Sequence, residues 1–268
     1  MKFCKQGLFH AFCVFIMCAA TVFLGGITAV IMCRGGGNIC SSIIKKETLF
    51  AVQISIRSAC ISSLLCFFFA IPTSYALARI KIGCRTLIEI ILEITMSLPY
   101  IVIGLSLLII FSSPFGKALK AAGFPVIFSC NGIIAAQLAV NLPFAVKLVS
   151  ASFNEADCKL ERIAGLLGAT ETECFFTILL PVCKNSLISA FVLVWARALG
   201  EFGATLMLVG VTRMKTETLP ASIYLNVSTN NLDDALANAF ILLAISAFSL
   251  GIANYLTRKN RKRSRYGM

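Results

Sequence analysis

The stretch "SASFNEADCKLERIAGLLGATETECFFTILLPVCKN", Ser150 to Asn185, breaks an otherwise oily chain with a run of polar and charged residues. Its composition is that of a structured connection. Asn154 is placed to cap a helix whose first turn carries Glu155 and Asp157, favourable at the positive end of the helix dipole. Ala156, Leu160, Ile163, Ala164 and Leu167 recur at helical spacing as one apolar stripe. Gly168 sits where a helix stops in the left-handed conformation. Thr170 and Glu173 match a capping box that starts a second helix at once, and Pro181 is expected to end it. The segment therefore reads as a short helix, a sharp turn and another helix. It could lie on lipid as an interfacial helix, but its acids and short length favour a protein partner.

The rest of the chain says where this loop lives. Of 268 residues, 58% are hydrophobic and only 13% are charged, with a mean hydropathy of +0.89. That excludes an ordinary soluble domain and indicates an all-α polytopic membrane protein, since the apolar runs are too long for barrel strands. Six spans are predicted, near Ala11–Cys33, Phe50–Ala78, Leu87–Phe111, Val126–Val149, Leu187–Val211 and Ala235–Leu256. The first is too long for a signal peptide and is read as an uncleaved span.

An even number of spans leaves both termini on one side. The tail "RKNRKRSRYGM", residues 258–268, is basic with no acid, so the positive-inside rule puts both termini and the Ser150–Asn185 loop in the cytoplasm. Lys and Arg then favour the inside loops by roughly two to one. The net charge of +12 is thereby explained as a topology anchor beside anionic lipid, without nucleic acid. Arg57, near the outer end of its span, can snorkel. The 12 cysteines are scattered through apolar runs without a CxxC or Cys/His cluster, so no metal site is expected.

One further stretch, "WARALGEFGATLMLVG" (Trp195 to Gly210), puts Arg197 and Glu201 one turn apart inside the fifth span. On a continuous helix the two can pair, which lowers the cost of holding charge in a bilayer. The pair can lock helices together, line a pathway for an anion, or sit near the inner surface in water. A structural or gating role is favoured, because Glu201 would moderate the field of Arg197.

Gly168, nine residues and then "ILLP" (Ile178 to Pro181) resembles the second half of the EAA loop of binding-protein-dependent ABC transporter permeases. The family's Glu-Ala-Ala falls on Arg162, Ile163 and Ala164, so only the last alanine matches. "LPYIVIGLSLL", "NLPFAVKLVSASF", "ARALGEFGATLMLVG" and "TRMKTETLPASIYL" are similar to the molybdate permease subfamily, near the sulfate and tungstate permeases.

The resemblance implies a single transmembrane domain over 1–268 that works as a homodimer. A separate cytoplasmic ATPase, carrying ATP and Mg, would grip the loop at about 151–182. An extracytoplasmic oxyanion-binding protein would deliver the cargo. It also implies coupling roles for Glu161, Arg162, Ala164, Gly168, Ala169 and Pro181, and a pathway or gate at Arg197, Glu201, Phe202 and Gly203.

Other classes fit poorly. No G-x-x-x-x-G-K-[ST] loop occurs, so ATP chemistry must come from another chain. His10 is the only histidine, which argues against serine-hydrolase and metalloprotease chemistry. An ion-coupled carrier would need carboxylates deep in its spans; Glu201 is the main candidate, and Glu89 and Glu93 lie nearer an inner end.

Overall fold

The computed structural model describes residues 2–37 and 42–265, with side chains for all of these except 2–8, 254 and 256–265. The basic tail is a continuation of the last helix as far as Arg265, and its residues 266–268 lie outside the described residues. Among the described residues the chain is helical without strands. The long elements are α1 (Lys2–Gly35), α2 (Lys46–Arg79), α3 (Arg85–Ser97), α4 (Tyr100–Ser112), α5 (Pro114–Ala121) and α6 (Cys130–Glu155). They are followed by α7 (Cys158–Leu166), α8 (Glu171–Leu199), α9 (Gly203–Val209), α10 (Leu219–Ser228) and α11 (Leu232–Arg265).

Five helices among the described residues are long and apolar enough to cross a bilayer, and counting the bent pair α3–α4 as one span gives six. Two predicted spans are broken. The third bends by 109° at Leu98–Pro99. Proline drives the residue before it out of the helical region, and Leu98 is accordingly extended with ψ 140°. The fifth stops at Leu199 and restarts at Gly203 as α9. Window hydropathy sees composition, not direction, so both breaks are invisible to it.

α2 and α6 run parallel and form the centre. Ser62 Oγ donates to Gln137 Oε1 at 3.0 Å, Ser74 Oγ to the Val146 carbonyl at 2.9 Å, and Arg79 reaches the Phe153 carbonyl. Most of the buried face of α2 is small, with Ala51, Ser55, Ser58, Ala59, Ser62, Cys66, Ala70 and Ser74 between the larger Ile54, Phe67 and Leu77, and the small residues let two backbones approach closely. α8 packs antiparallel to both, with Cys183 beside the Ser152 carbonyl and Trp195 Nε1 3.2 Å from Cys60 Sγ.

Toward the loop end, Phe67, Val149, Phe153, Leu179 and Val194 build one apolar core; toward the other end, Ile54, Ile103, Ile133, Leu208 and Val209 build a second. Gln137 lies between them and is fully spoken for, since its Nε2 also donates to the Ala198 carbonyl at 2.9 Å. α1 packs along α11 and turns rings such as Phe12 and Phe15 outward. Ser97 and Ser106 bond back to carbonyls of their own helices, as isolated serines in spans tend to.

Candidate functional site

The Ser150–Asn185 loop folds as the helix, turn and helix its caps dictate, with two corrections. Asn154 still belongs to α6; the cap of α7 is Asp157, whose Oδ1 accepts from the Lys159 N–H at 2.9 Å. Pro181 does not end the second helix. It lies within α8, and the residues just before it, Phe175–Leu179, form a π turn. Widening the helix there accommodates a residue that lacks an N–H and crowds the preceding turn.

The turn itself is a Schellman motif. Gly168 has φ +97°, its N–H donates to the Gly165 carbonyl at 3.0 Å, and the Ala169 N–H donates to the Ala164 carbonyl at 3.0 Å. Thr170 and Glu173 close the capping box, the Thr170 N–H to Glu173 Oε2 at 2.8 Å and the Glu173 N–H to Thr170 Oγ1 at 3.3 Å. The large residues of the apolar stripe, Leu160, Ile163 and Leu167, are exposed, Leu167 at 85%, and Leu166 beside the stripe is 88% exposed. Arg162 is exposed beside them.

Glu161 has a different position from its neighbours. Its carboxylate is held by Arg79, with Nη2 to Oε1 at 2.8 Å and Nε to both oxygens at 3.0 and 3.1 Å. Both side chains are mostly covered. Arg79 also caps the Phe153 carbonyl at 2.9 Å, so one guanidinium ties α7 to the ends of α2 and α6. Arg79 was not legible as a site residue, because its partner is distant in sequence.

Around the break in the fifth span, the structure corrects the expected ion pair. Arg197 and Glu201 do not meet. The helix ends between them, and Glu201 turns back to cap α9, with Oε1 accepting from the Ala204 N–H at 2.7 Å and Oε2 from the Thr205 N–H at 3.2 Å. It is 3% exposed and satisfies donors that the helix start would otherwise leave orphaned.

Arg197 goes elsewhere. Its Nη2 donates to Tyr100 Oη, and its Cζ lies 4.6 Å from the Phe144 ring centre and 5.6 Å from that of Tyr100. Those rings follow the same local sequence, Leu98-Pro99-Tyr100 and Leu142-Pro143-Phe144. That repeated Leu-Pro-aromatic signal was the one available pointer to them.

Gly203 lets the two broken spans touch, since a Cβ there would lie 3.1 Å from Tyr100 Cβ. Phe202 packs its ring 5.3 Å from that of Tyr224 in α10. Among the described residues Arg57 makes no ion pair, and it lines a cleft of about 300 Å³ with Gln53 and Asn131. Among the described residues no group of three or more His, Cys, Asp or Glu side chains converges on a metal position.

A sequence model for the "Binding-protein-dependent transport system inner membrane component" family matches residues 48–262. The chain is 33% identical over 199 residues to the molybdenum transport system permease protein ModB of Mycobacterium tuberculosis, covering 74% of this chain and 75% of that one. It is 30% identical over 241 residues to the molybdate/tungstate transport system permease protein WtpB of Methanocaldococcus jannaschii, covering 87% and 94%. A crystal structure of a bacterial alginate ABC transporter in complex with a pentasaccharide-bound periplasmic protein superimposes with a TM-score of 0.75 over 95% of each chain, at 17% identity. That last likeness concerns the fold alone. With the family match running from Thr48, the third residue of α2, into α11, and with the broken helices and the glycine turn inside it, the chain belongs to the inner-membrane components of binding-protein-dependent transport systems.

Proposed function

We propose that the chain is the permease subunit of an ABC importer that carries molybdate across the cytoplasmic membrane, with tungstate as the nearest alternative cargo. The names of the relatives support the oxyanion, and the Gly168 turn carries the coupling half of the reading. Two leucines at 88% and 85% exposure on the tip of a hydrogen-bonded turn form an apolar surface that a partner must cover. A cytoplasmic ATPase subunit, loaded with ATP and Mg, is that partner, seated on Leu166, Leu167, Arg162 and Ala169. Arg79 and Glu161 hold the turn to the bundle, and Pro181 lies within the helix that carries its motion inward. The excess of Lys and Arg on the loop side supports a cytoplasmic loop and cytoplasmic termini. A second copy of the chain completes the pathway, and an external oxyanion-binding protein loads it.

The mechanism asks no covalent chemistry of this chain. Closure of the ATPase pair on ATP displaces the two Gly168 turns, α8 follows, and the break at Gly200–Phe202 changes its angle against α4. The anion released by the binding protein then finds an open side, and hydrolysis resets the bundle.

The test is ATP-driven uptake by proteoliposomes containing this chain, its ATPase and its binding protein. Labelled molybdate should accumulate and should be competed by excess tungstate less strongly than by unlabelled molybdate. Preferential uptake of tungstate would reassign the cargo. Accumulation by the chain without any ATPase would replace the reading with an ion-coupled carrier.

A further inference from the structure

The diversion of Glu201 leaves a cation without a counter-charge at the meeting point of two broken spans. Among the described residues Arg197 makes no ion pair; one N–H bond reaches Tyr100 Oη, and Nε is buried with no partner at all. An arginine held in a membrane bundle is costly and is usually neutralised or hydrated. Here it is held by ring faces instead. Phe144 and Tyr100 attract the cation through their quadrupoles and fix its plane, without removing its charge. Most of its N–H donors stay unused.

We infer that Arg197, clamped by Tyr100 and Phe144, is the anion-contact point of the translocation pathway and takes a tetrahedral oxyanion dianion in transit. The inference rests on the oxyanion reading given above. The clamp suits passage rather than storage. Negative ring faces repel an anion, so the dianion can approach only along the edge of the guanidinium, where the free donors point. Each subunit offers a single guanidinium whose ring partners do not move with the anion, and the anion departs when the gate moves. Glu201 would have cancelled this field had the span been continuous. The break at Gly200 therefore does two things: it sends the carboxylate to the start of α9 and leaves the guanidinium bare.

The experiment compares Arg197→Lys and Arg197→Gln in proteoliposomes of the complete complex, with ATPase co-purification as the assembly readout. The oxyanion used is whichever one the wild-type complex takes up. Arg197→Gln should lower uptake at least tenfold while the complex still assembles. Arg197→Lys, which keeps the charge and loses the planar fork, should retain at least a third of wild-type uptake. In the Arg197→Gln background, Tyr100→Lys should recover at least threefold by returning a cation to the same place. Near-wild-type uptake by Arg197→Gln overturns the proposal. So does an assembled Arg197→Lys complex as slow as Arg197→Gln, or loss of assembly in both, since either makes the residue a strut. A wild-type complex that takes up no oxyanion removes the function proposed above, and this inference with it.

Discussion

Arg79, the last residue of α2, grips Glu161 of α7 through three hydrogen bonds of 2.8 to 3.1 Å, so the Gly168 turn is bolted to a 34-residue helix at the centre of the bundle. The pair is mostly withdrawn from water, and Arg79 spends a further bond on the Phe153 carbonyl. Removing Glu161 leaves a charged guanidinium facing an empty site, which costs more than the pair contributes as a whole. Glu161→Ala should destabilise the loop by about 1–3 kcal/mol. Thermal unfolding of the complex reads this, and the cycle with Arg79→Ala should show strong coupling between the two positions. Additive losses would mean that the clamp is incidental.

At Gly168 the space around an added Cβ is empty, so any penalty comes from backbone conformation alone. Gly168→Ala should cost about 1 kcal/mol through its positive φ and weaken ATPase association only mildly. Gly168→Asp adds charge at the apolar tip and should abolish association while leaving membrane insertion intact. Co-purification with the ATPase measures both.

Leu166 and Leu167 have almost no intramolecular contacts to lose. Leu166→Asp with Leu167→Asp should leave the melting temperature of the isolated chain within about 1–2 °C of wild type, as surface changes do. The same double substitution should prevent recovery of the ATPase on affinity purification. A stable complex would remove these leucines from the docking surface.

Arg197 and Glu201 should behave as independent sites. Glu201→Ala strips the start of α9 of its acceptor and should cost about 1–2 kcal/mol, whereas Arg197→Ala acts on transport. Their stability effects should add to within about 0.5 kcal/mol. A double variant milder than either single one would restore the ion pair that a continuous helix predicts.

The contrast between these two regions shows what a sequence can carry. The Gly168 turn was readable because every bond that makes it is local: Gly165 to Gly168, Ala164 to Ala169, Thr170 to Glu173. Even there, Asn154 and Asp157 compete for the cap, and only packing against α2 decides that α6 runs on through Asn154. The Arg197 site was misread because pairing at one-turn spacing presumes an unbroken helix. Nothing in the apolar run "ARALGEFGATL" sets the choice between a paired glutamate and a capping one; the touch of α4 on Gly203 and Ala204 does. Tyr100, Phe144 and Arg79 all reach their partners across the bundle, and such meetings are products of the fold.

The π turn at Phe175–Leu179 has a mechanical consequence. By absorbing Pro181 it keeps Glu171–Leu199 a single rod of 29 residues, about 43 Å at 1.5 Å per residue. A tilt of about 5° at the Glu171 end would swing the far end by about 4 Å over that length. The rod finishes at Leu199, two residues beyond the clamped guanidinium, so the leverage is delivered where the chain breaks direction.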